Sequence, residues 1–275
     1  MSMNLPAKTG DWLISATSLL ESAGIGTARL DALVLLEDEL GYDRSRLLAD
    51  SEMTIKPGSI AKLNRFLSRR ARHEPLAYIR GKSEFYGRDF IVNKHVLEPR
   101  PESEPIIEEL KWLRLPMRPR IADIGTGSGC LGITAMLELK ACHVEMYDID
   151  RRAISVAERN AKAHNLSLRI FQADLLGWRP ANYDVILANL PYVPNRYKLN
   201  RSAELEPKIA IFGGNDGLDV YRRLFGRLAA VHTKPKFILT EALPTQHIGL
   251  AGIAEFSGFK LNRNNGFVQV FESIY

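Results

Sequence analysis

The stretch that decides the fold is Ile121-Ala-Asp-Ile-Gly-Thr-Gly-Ser-Gly-Cys-Leu131. Residues 121–124 form a short apolar run suited to a buried strand, and residues 131–139 have helical length and spacing. Between them stand Gly125, Thr126, Gly127, Ser128 and Gly129. Glycines let a chain turn tightly and let a ligand touch the backbone. The spacing is G-x-G-x-G, not the G-x-G-x-x-G of a dinucleotide fold, and no Lys-Ser/Thr pair follows to make a P-loop. A purely structural turn would also account for the glycines taken alone.

Outward from this loop, strands and helices keep alternating. Residues 144–147, 168–171, 185–188, 237–240 and 267–271 read as strands. Residues 151–163, 218–231 and 246–256 read as helices, the first with Asp150 as its N-cap. Such alternation implies an open, mostly parallel sheet with helices on both faces. Upstream the period is helical. Trp12, Leu13, Ala16, Leu19, Leu20 and Ala23 recur at helix spacing until Gly24. Thr27 is placed to N-cap a second helix, through Leu30, Leu33, Val34, Leu36 and Leu40 to Gly41. Ser59 opens a third through Leu63, Phe66 and Leu67, ending before Pro75. Glu84-Phe-Tyr-Gly-Arg-Asp-Phe-Ile-Val92 reads as a hairpin turning at Gly87-Arg88. Pro99-Arg-Pro-Glu-Ser-Glu104 then leads into a helix with Ile106, Ile107, Leu110 and Leu113. The expected organisation is a helical bundle over 1–83, a hairpin linker over 84–98 and an α/β domain over 99–275.

The bulk properties set limits. A chain of 275 residues, 45% hydrophobic and 25% charged, has room for one large domain and a small one. A net charge of +5 permits an acidic or nucleic-acid-associated partner without requiring one. Two cysteines, Cys130 and Cys142, make no disulfide framework and fit a reducing, cytoplasmic setting. Cys142-His143 has no companion pair at zinc-ligand spacing, so no metal is expected. No apolar run is long enough for a bilayer, and Met1-Ser-Met-Asn-Leu-Pro6 has no leader pattern, so no membrane association is expected.

Carboxylates at successive strand ends sharpen the loop's meaning. Asp148, in Tyr147-Asp-Ile-Asp150, can accept both hydroxyls of a ribose, as NAD and S-adenosylmethionine sites alike require. Asp174, in Gln172-Ala-Asp-Leu175, is placed to meet an adenine amino group, with Leu175 against the ring. After the strand at 185–188 comes Asn189-Leu190-Pro191-Tyr192. An amide or exocyclic nitrogen is a weak nucleophile because its lone pair is delocalised, whereas a methyl sulfonium is a strong electrophile. The enzyme's task is to orient the nitrogen by accepting its N–H bonds, for which Asn189 Oδ1 and the Leu190 carbonyl are suited, with Tyr192 stacking on the planar group. A turn followed by a core aromatic is the bland alternative.

Over nearly its whole length the chain resembles the peptide chain release factor glutamine methyltransferases, the PrmC/HemK family of class I S-adenosylmethionine-dependent enzymes. The resemblance rests on Arg72-His-Glu-Pro-Leu-Ala-Tyr-Ile-Arg-Gly81, Phe85-Tyr-Gly87, Phe90-Ile-Val92, Val96-Leu-Glu-Pro-Arg-Pro-Glu-Ser-Glu104, Glu206-Pro207 and Phe212-Gly-Gly-Asn-Asp-Gly-Leu-Asp-Val-Tyr221. It implies a Rossmann-like class I methyltransferase sheet with the helical bundle joined by a β-hairpin. It implies cofactor contacts at Gly125 through Gly129, Asp148, Leu175 and Asn189, and glutamine binding by Asn189 to Tyr192. The glutamine would be that of the Gly-Gly-Gln loop of class I release factors, methylated at its side-chain nitrogen, with the N-terminal bundle helping to hold the release factor. The family's usual site sequence is Asn-Pro-Pro-Tyr. Here Leu190 replaces the first proline, which keeps the carbonyl but loses the ring's lock on φ. In Lys234-Pro-Lys-Phe-Ile-Leu-Thr-Glu-Ala-Leu243 the family's glycine pair after the proline and its glycine after the Glu are missing.

Two rival readings are a DNA adenine N6-methyltransferase, which presents the same planar NH₂ problem, and a degenerate relative that binds without turnover. The small bundle and modest charge argue against a base-flipping DNA enzyme, so no stable nucleic-acid partner is expected, and a monomer is. Arg65, Arg69, Arg70, Arg72, Arg80 and Lys82 form a basic cluster, with Glu74 as counter-charge. It reads as a solvated face or as a contact for an acidic partner.

Overall fold

The computed structural model describes residues 5–177 and 182–274. Residues 1–4 of the N-terminal stretch read above for a leader lie outside it. The chain forms two compact units: Met1–Gly81 with Asn200–Leu205, and Lys82–Leu199 with Glu206–Tyr275.

The smaller unit is helical: α1 (Thr9–Ser22), α2 (Ala28–Leu40), α3 (Arg44–Ala49), α4 (Pro57–Arg70) and α5 (Leu76–Arg80). Trp12, Leu20, Leu36, Leu63 and Leu67 meet in its core. Gly41, in the left-handed region at φ 68°, stops α2. Thr27 precedes α2 but makes no side-chain capping bond, and α4 starts at Pro57, two residues before Ser59, because proline is pre-set for the first helical turn. The short helices α3 and α5 escaped the sequence reading. α3 is one and a half turns long and is marked only by Asp43, whose carboxylate caps the Arg46 N–H at 2.8 Å. The basic cluster is largely neutralised. Arg69 pairs with Glu74, Arg80 with Asp38, and Arg70, nearly buried, with Asp31 at 2.6 Å. Arg70 also donates to Ser202 at 3.0 Å, in the Asn200–Leu205 segment that belongs to this unit.

The larger unit begins with a hairpin, β1 (Lys82–Phe85) and β2 (Arg88–Ile91), antiparallel across Tyr86-Gly87. Its inward residues Phe85 and Phe90 are buried in the same cluster as the sheet's, so the hairpin packs with the sheet. There follow α6 (Glu104–Trp112), β3 (Arg120–Ile124), α7 (Cys130–Glu138), β4 (His143–Asp148), α8 (Arg151–Ala163), β5 (Arg169–Gln172) and β6 (Val185–Ala188). The unit closes with α9 (Asp219–Ala229), β7 (Phe237–Glu241), α10 (His247–Phe256), β8 (Phe259–Asn265) and β9 (Val268–Ser273). The sheet order is β5-β4-β3-β6-β7-β9-β8, parallel except that β9 runs antiparallel to both its neighbours.

The central strands are apolar runs because both faces are covered. Along β6, Val185 and Leu187 face a core built with α6, α7 and α8, while Ile186 and Ala188 face one built with α9 and α10. The strand order reverses between β3 and β6, and in open α/β sheets ligands bind at the carboxyl ends beside such a reversal. Asp150 does cap α8, accepting the Arg152 N–H at 2.8 Å. β8 has no strand signature in the sequence because its six residues from Lys260 to Asn265 are all exposed, and all but Leu261 are polar, with no alternation.

Candidate active site

The carboxyl ends of β3, β4 and β6 and the turn after β5 meet around one pocket. Its walls include Gly125–Ser128, Asp148, Asp174, Leu175 and Asn189–Pro191. Ser103 and Arg100 line it from the segment before α6.

The glycine loop has the form its composition implies. Gly125, Gly127 and Gly129 have φ of 69°, 56° and 84°, a region costly for other residues. A Cβ on Gly125 would come within 2.9 Å of the Leu190 side chain. The loop is held from below by Asp123, whose Oδ2 accepts from Thr126 Oγ1 at 2.5 Å and from the Gly132 N–H at 2.9 Å. Burial raises the Asp123 carboxyl to about 6, against those two hydrogen bonds. Asp148 stands half-buried at the end of β4. Its Oδ2 accepts the Gly127 N–H at 2.9 Å and its Oδ1 the Asp150 N–H at 2.8 Å, so each oxygen keeps lone-pair capacity toward the pocket. Leu175 is buried with φ 55°, a strained conformation for a branched residue beside a pocket. Asp174 reaches the pocket wall, but Arg223 and Arg227 of α9 both donate to its carboxylate. Burial opposes ionisation there, and the two arginines outweigh it, holding the carboxyl below its ordinary range.

The tetrapeptide leaves β6 with its backbone gripped from behind. Leu190 is buried and its N–H donates to Tyr221 Oη at 3.3 Å. Gln246 Nε2 donates to the Tyr192 carbonyl at 2.7 Å. The Gly213–Gly217 turn passes so close that a Cβ on Gly213 would lie 2.2 Å from the Pro191 carbonyl oxygen, and one on Gly217 2.0 Å from that of Tyr192. This contact is the physical content of the Phe212–Tyr221 block. The Val96–Glu104 block is latched too. Glu206 accepts from Arg100 at 2.5 Å and from the Glu98 N–H at 3.3 Å, so two separately quoted stretches meet.

Asn189 Nδ2 donates to Ser103 Oγ at 2.8 Å and to Glu241 Oε2 at 3.0 Å. Both its N–H bonds are thereby used. Among the described residues, nothing donates to Asn189 Oδ1 or to the Leu190 carbonyl. Tyr192 Oη donates to Glu241 Oε1 at 2.8 Å. Burial, then the Glu241 charge, pushes the Tyr192 hydroxyl far above its ordinary value, so it stays a donor. Sequence reasoning passed over Ser103, Glu241, Tyr221 and Asp123 as site residues. The available signal was a polar residue at the edge of an apolar run, as in Thr240-Glu241 and Ala122-Asp123.

A glycine loop after the first sheet strand, an acid after the second and an Asn-x-Pro-Tyr turn after the fourth, all on one pocket, define a class I S-adenosylmethionine-dependent methyltransferase. Residues 11–81 match the PrmC N-terminal domain, and residues 104–204 the methyltransferase small domain. A release factor glutamine methyltransferase of Geobacter sulfurreducens is 36% identical, covering 78% of this chain and 76% of its own. That of Deinococcus radiodurans is 31% identical over 91% of both chains. The fold is shared with a methyltransferase from Pyrococcus furiosus, at TM-score 0.52 and 18% identity, covering 74% of this chain and 98% of that one. It is shared also with the hMettl16 catalytic domain solved with a 3′UTR hairpin, at TM-score 0.58 and 14% identity over 89% and 91% of the two chains. The chain belongs to the release factor glutamine methyltransferase family.

Proposed function

We propose that the chain methylates the side-chain amide nitrogen of the glutamine in the Gly-Gly-Gln loop of class I peptide chain release factors. The observation that carries this is the commitment of the Asn189 amide. With Nδ2 engaged by Ser103 and Glu241, Oδ1 and the Leu190 carbonyl remain as two acceptors beside the pocket. A primary amide has two N–H bonds to offer them.

The pocket fits S-adenosylmethionine. At Gly127 the turn is open, with nothing nearer than 3.9 Å to a Cβ there, Asp148 has acceptor capacity for ribose hydroxyls, and Leu175 offers an apolar surface for a ring. Asp174 is assigned to the adenine edge, its charge steadied by Arg223 and Arg227. When bound, the cofactor would supply an electrophilic methyl on a sulfonium and depart as the neutral thioether S-adenosylhomocysteine. Asn189 Oδ1 and the Leu190 carbonyl hold the glutamine N–H bonds, drawing the nitrogen out of amide conjugation and orienting its lone pair. The nitrogen gains one N–C bond and sheds one proton to water. Tyr192 supports the planar amide from its face.

In this reading the N-terminal helices hold the release factor, and the enzyme acts as a monomer in the cytoplasm without a stable nucleic-acid partner. Two unpaired cysteines accord with that setting. Among the described residues no helix is long and apolar enough to cross a membrane. The test is mass spectrometry of the Gly-Gly-Gln peptide after incubating release factor with S-adenosylmethionine and enzyme. A gain of one methyl on the glutamine is expected. Label entering duplex adenine instead would overturn the reading.

A further inference from the structure

Glu241 closes β7 as a carboxylate only 1% exposed. Among the described residues no cation pairs with it. Holding an anion in such a place is costly unless donors surround it. Three donors surround it: the Ser103 hydroxyl and the two ends of the tetrapeptide, Asn189 Nδ2 on one oxygen and Tyr192 Oη on the other. That arrangement has a directional consequence. Burial raises the Glu241 carboxyl, and its hydrogen bonds from Ser103, Tyr192 and Asn189 oppose that; a carboxylate ringed by donors in this way only accepts, so only the NH₂ end of the Asn189 amide can face it. The amide oxygen is thereby turned away from Glu241, in a residue that lines the pocket. Rotated by half a turn, Asn189 would set its oxygen against the carboxylate and its own N–H bonds against those of the substrate. Ser103 Oγ accepts from Asn189 because its own proton goes to Glu241, so this choice of direction also traces back to the carboxylate.

We propose that Glu241 is a positioning residue for methyl transfer, fixing the direction of the Asn189 amide and the placement of the Tyr192 ring without touching either reacting atom. The inference rests on the glutamine-methylation reading above and deepens it. Replacement of Glu241 removes the preference between the two amide orientations and lets the Tyr192 ring drift. Glu241→Gln retains one acceptor oxygen for Asn189 and can give its NH₂ to the Tyr192 hydroxyl, so it preserves much of the arrangement.

Steady-state transfer to release factor and calorimetric cofactor binding are measured on wild type, Glu241→Ala and Glu241→Gln. In Glu241→Ala, kcat is expected to fall about 100-fold, the order seen when an oriented polar group is lost, while cofactor Kd stays within about threefold. Glu241→Gln is expected to recover to within about tenfold of wild type. A merely structural role would lower melting temperature and cofactor affinity alongside kcat. A second measurement needs no substrate. In protein carrying ¹⁵N-asparagine, the Asn189 NH₂ signal, identified by its loss in Asn189→Ala, is expected downfield and slow to exchange. It should move upfield and exchange faster in Glu241→Ala, or in Glu241→Gln if the alanine variant does not fold. Normal kcat in Glu241→Ala, or an Asn189 signal indifferent to the loss of Glu241, overturns the proposal. If wild type methylates no release factor, the functional reading fails and the amide signal still decides the role of Glu241.

Discussion

The Leu190 N–H donates to the hydroxyl of Tyr221, a bond that a proline at position 190 could not make. The same hydroxyl donates to either the Ala188 or the Glu241 carbonyl, at 2.9 and 2.6 Å, and accepts the Glu241 N–H at 3.3 Å. Tyr221 therefore ties the ends of β6 and β7 together and restrains Leu190 through its nitrogen, where a proline would be restrained by its ring. Leu190→Pro exchanges one restraint for the other and is expected to keep activity within about threefold of wild type. Tyr221→Phe should cost more in the Leu190 chain than in Leu190→Pro, because both lose the Glu241 N–H bond to the hydroxyl but only the former also leaves the Leu190 N–H unpaired. A double-mutant cycle on kcat should give a coupling of about 1 kcal/mol, and strict additivity would remove Tyr221 from this role.

Asn189→Ala removes the acceptor that, in the proposed function, the substrate nitrogen meets. The expected loss in kcat is about 10²- to 10³-fold, by analogy with removal of one preorganised polar group. Calorimetry checks that the cofactor still binds. Normal turnover would mean that the nitrogen is oriented by other groups.

Asp148→Asn has a different signature. An amide can accept at one end only, so it cannot serve both the Gly127 and Asp150 N–H groups. Cofactor Kd is expected to weaken about 10- to 100-fold, on the scale of one or two lost polar interactions, with kcat at saturation little changed. An unaltered Kd would place the ribose elsewhere.

Asp123 gives a pH prediction. Its carboxyl is raised from 3.8 to about 6, chiefly by burial. Between those values the native protein holds a proton that the unfolded chain has released. Its contribution to stability is thus largest below about pH 4 and is lost as pH rises through about 6. Chemical unfolding of wild type and Asp123→Asn across this range should show the wild-type advantage shrinking as pH increases. A flat or rising difference would contradict the shift.

How much of this was legible beforehand varied with burial. β3, β4, β6 and β7 were readable because covered strands must be apolar, and the glycine loop because positive φ excludes most side chains. β8 was not, since an exposed edge strand rich in Lys, Asn and Arg looks like a loop. Within the site, Gly125–Gly129, Asp148, Asp174, Leu175 and Asn189–Tyr192 were named from sequence, and the structure places them on one pocket wall or, for Gly129 and Tyr192, directly beside it. Glu241 and Tyr221 were not named, because their meaning lies in contacts with residues 20 to 52 positions away. A one-dimensional pattern carries spacing along the chain, not partners across the sheet. Arg223 and Arg227 are a similar case: helix-face arginines by periodicity, but the partners of Asp174 in space.

The bond from Arg70 to Ser202 fixes an order of events during synthesis. The two residues are separated by 132 positions, and everything from the hairpin through the tetrapeptide is made in between. A nascent chain can therefore assemble α1 to α5 early, but this stitch forms only after the strands β3 to β6 have been translated. A fragment ending at Gly81 would fold with the Arg70 guanidinium one partner short. The helical unit is begun first, yet its last piece is made only after the fourth strand of the sheet.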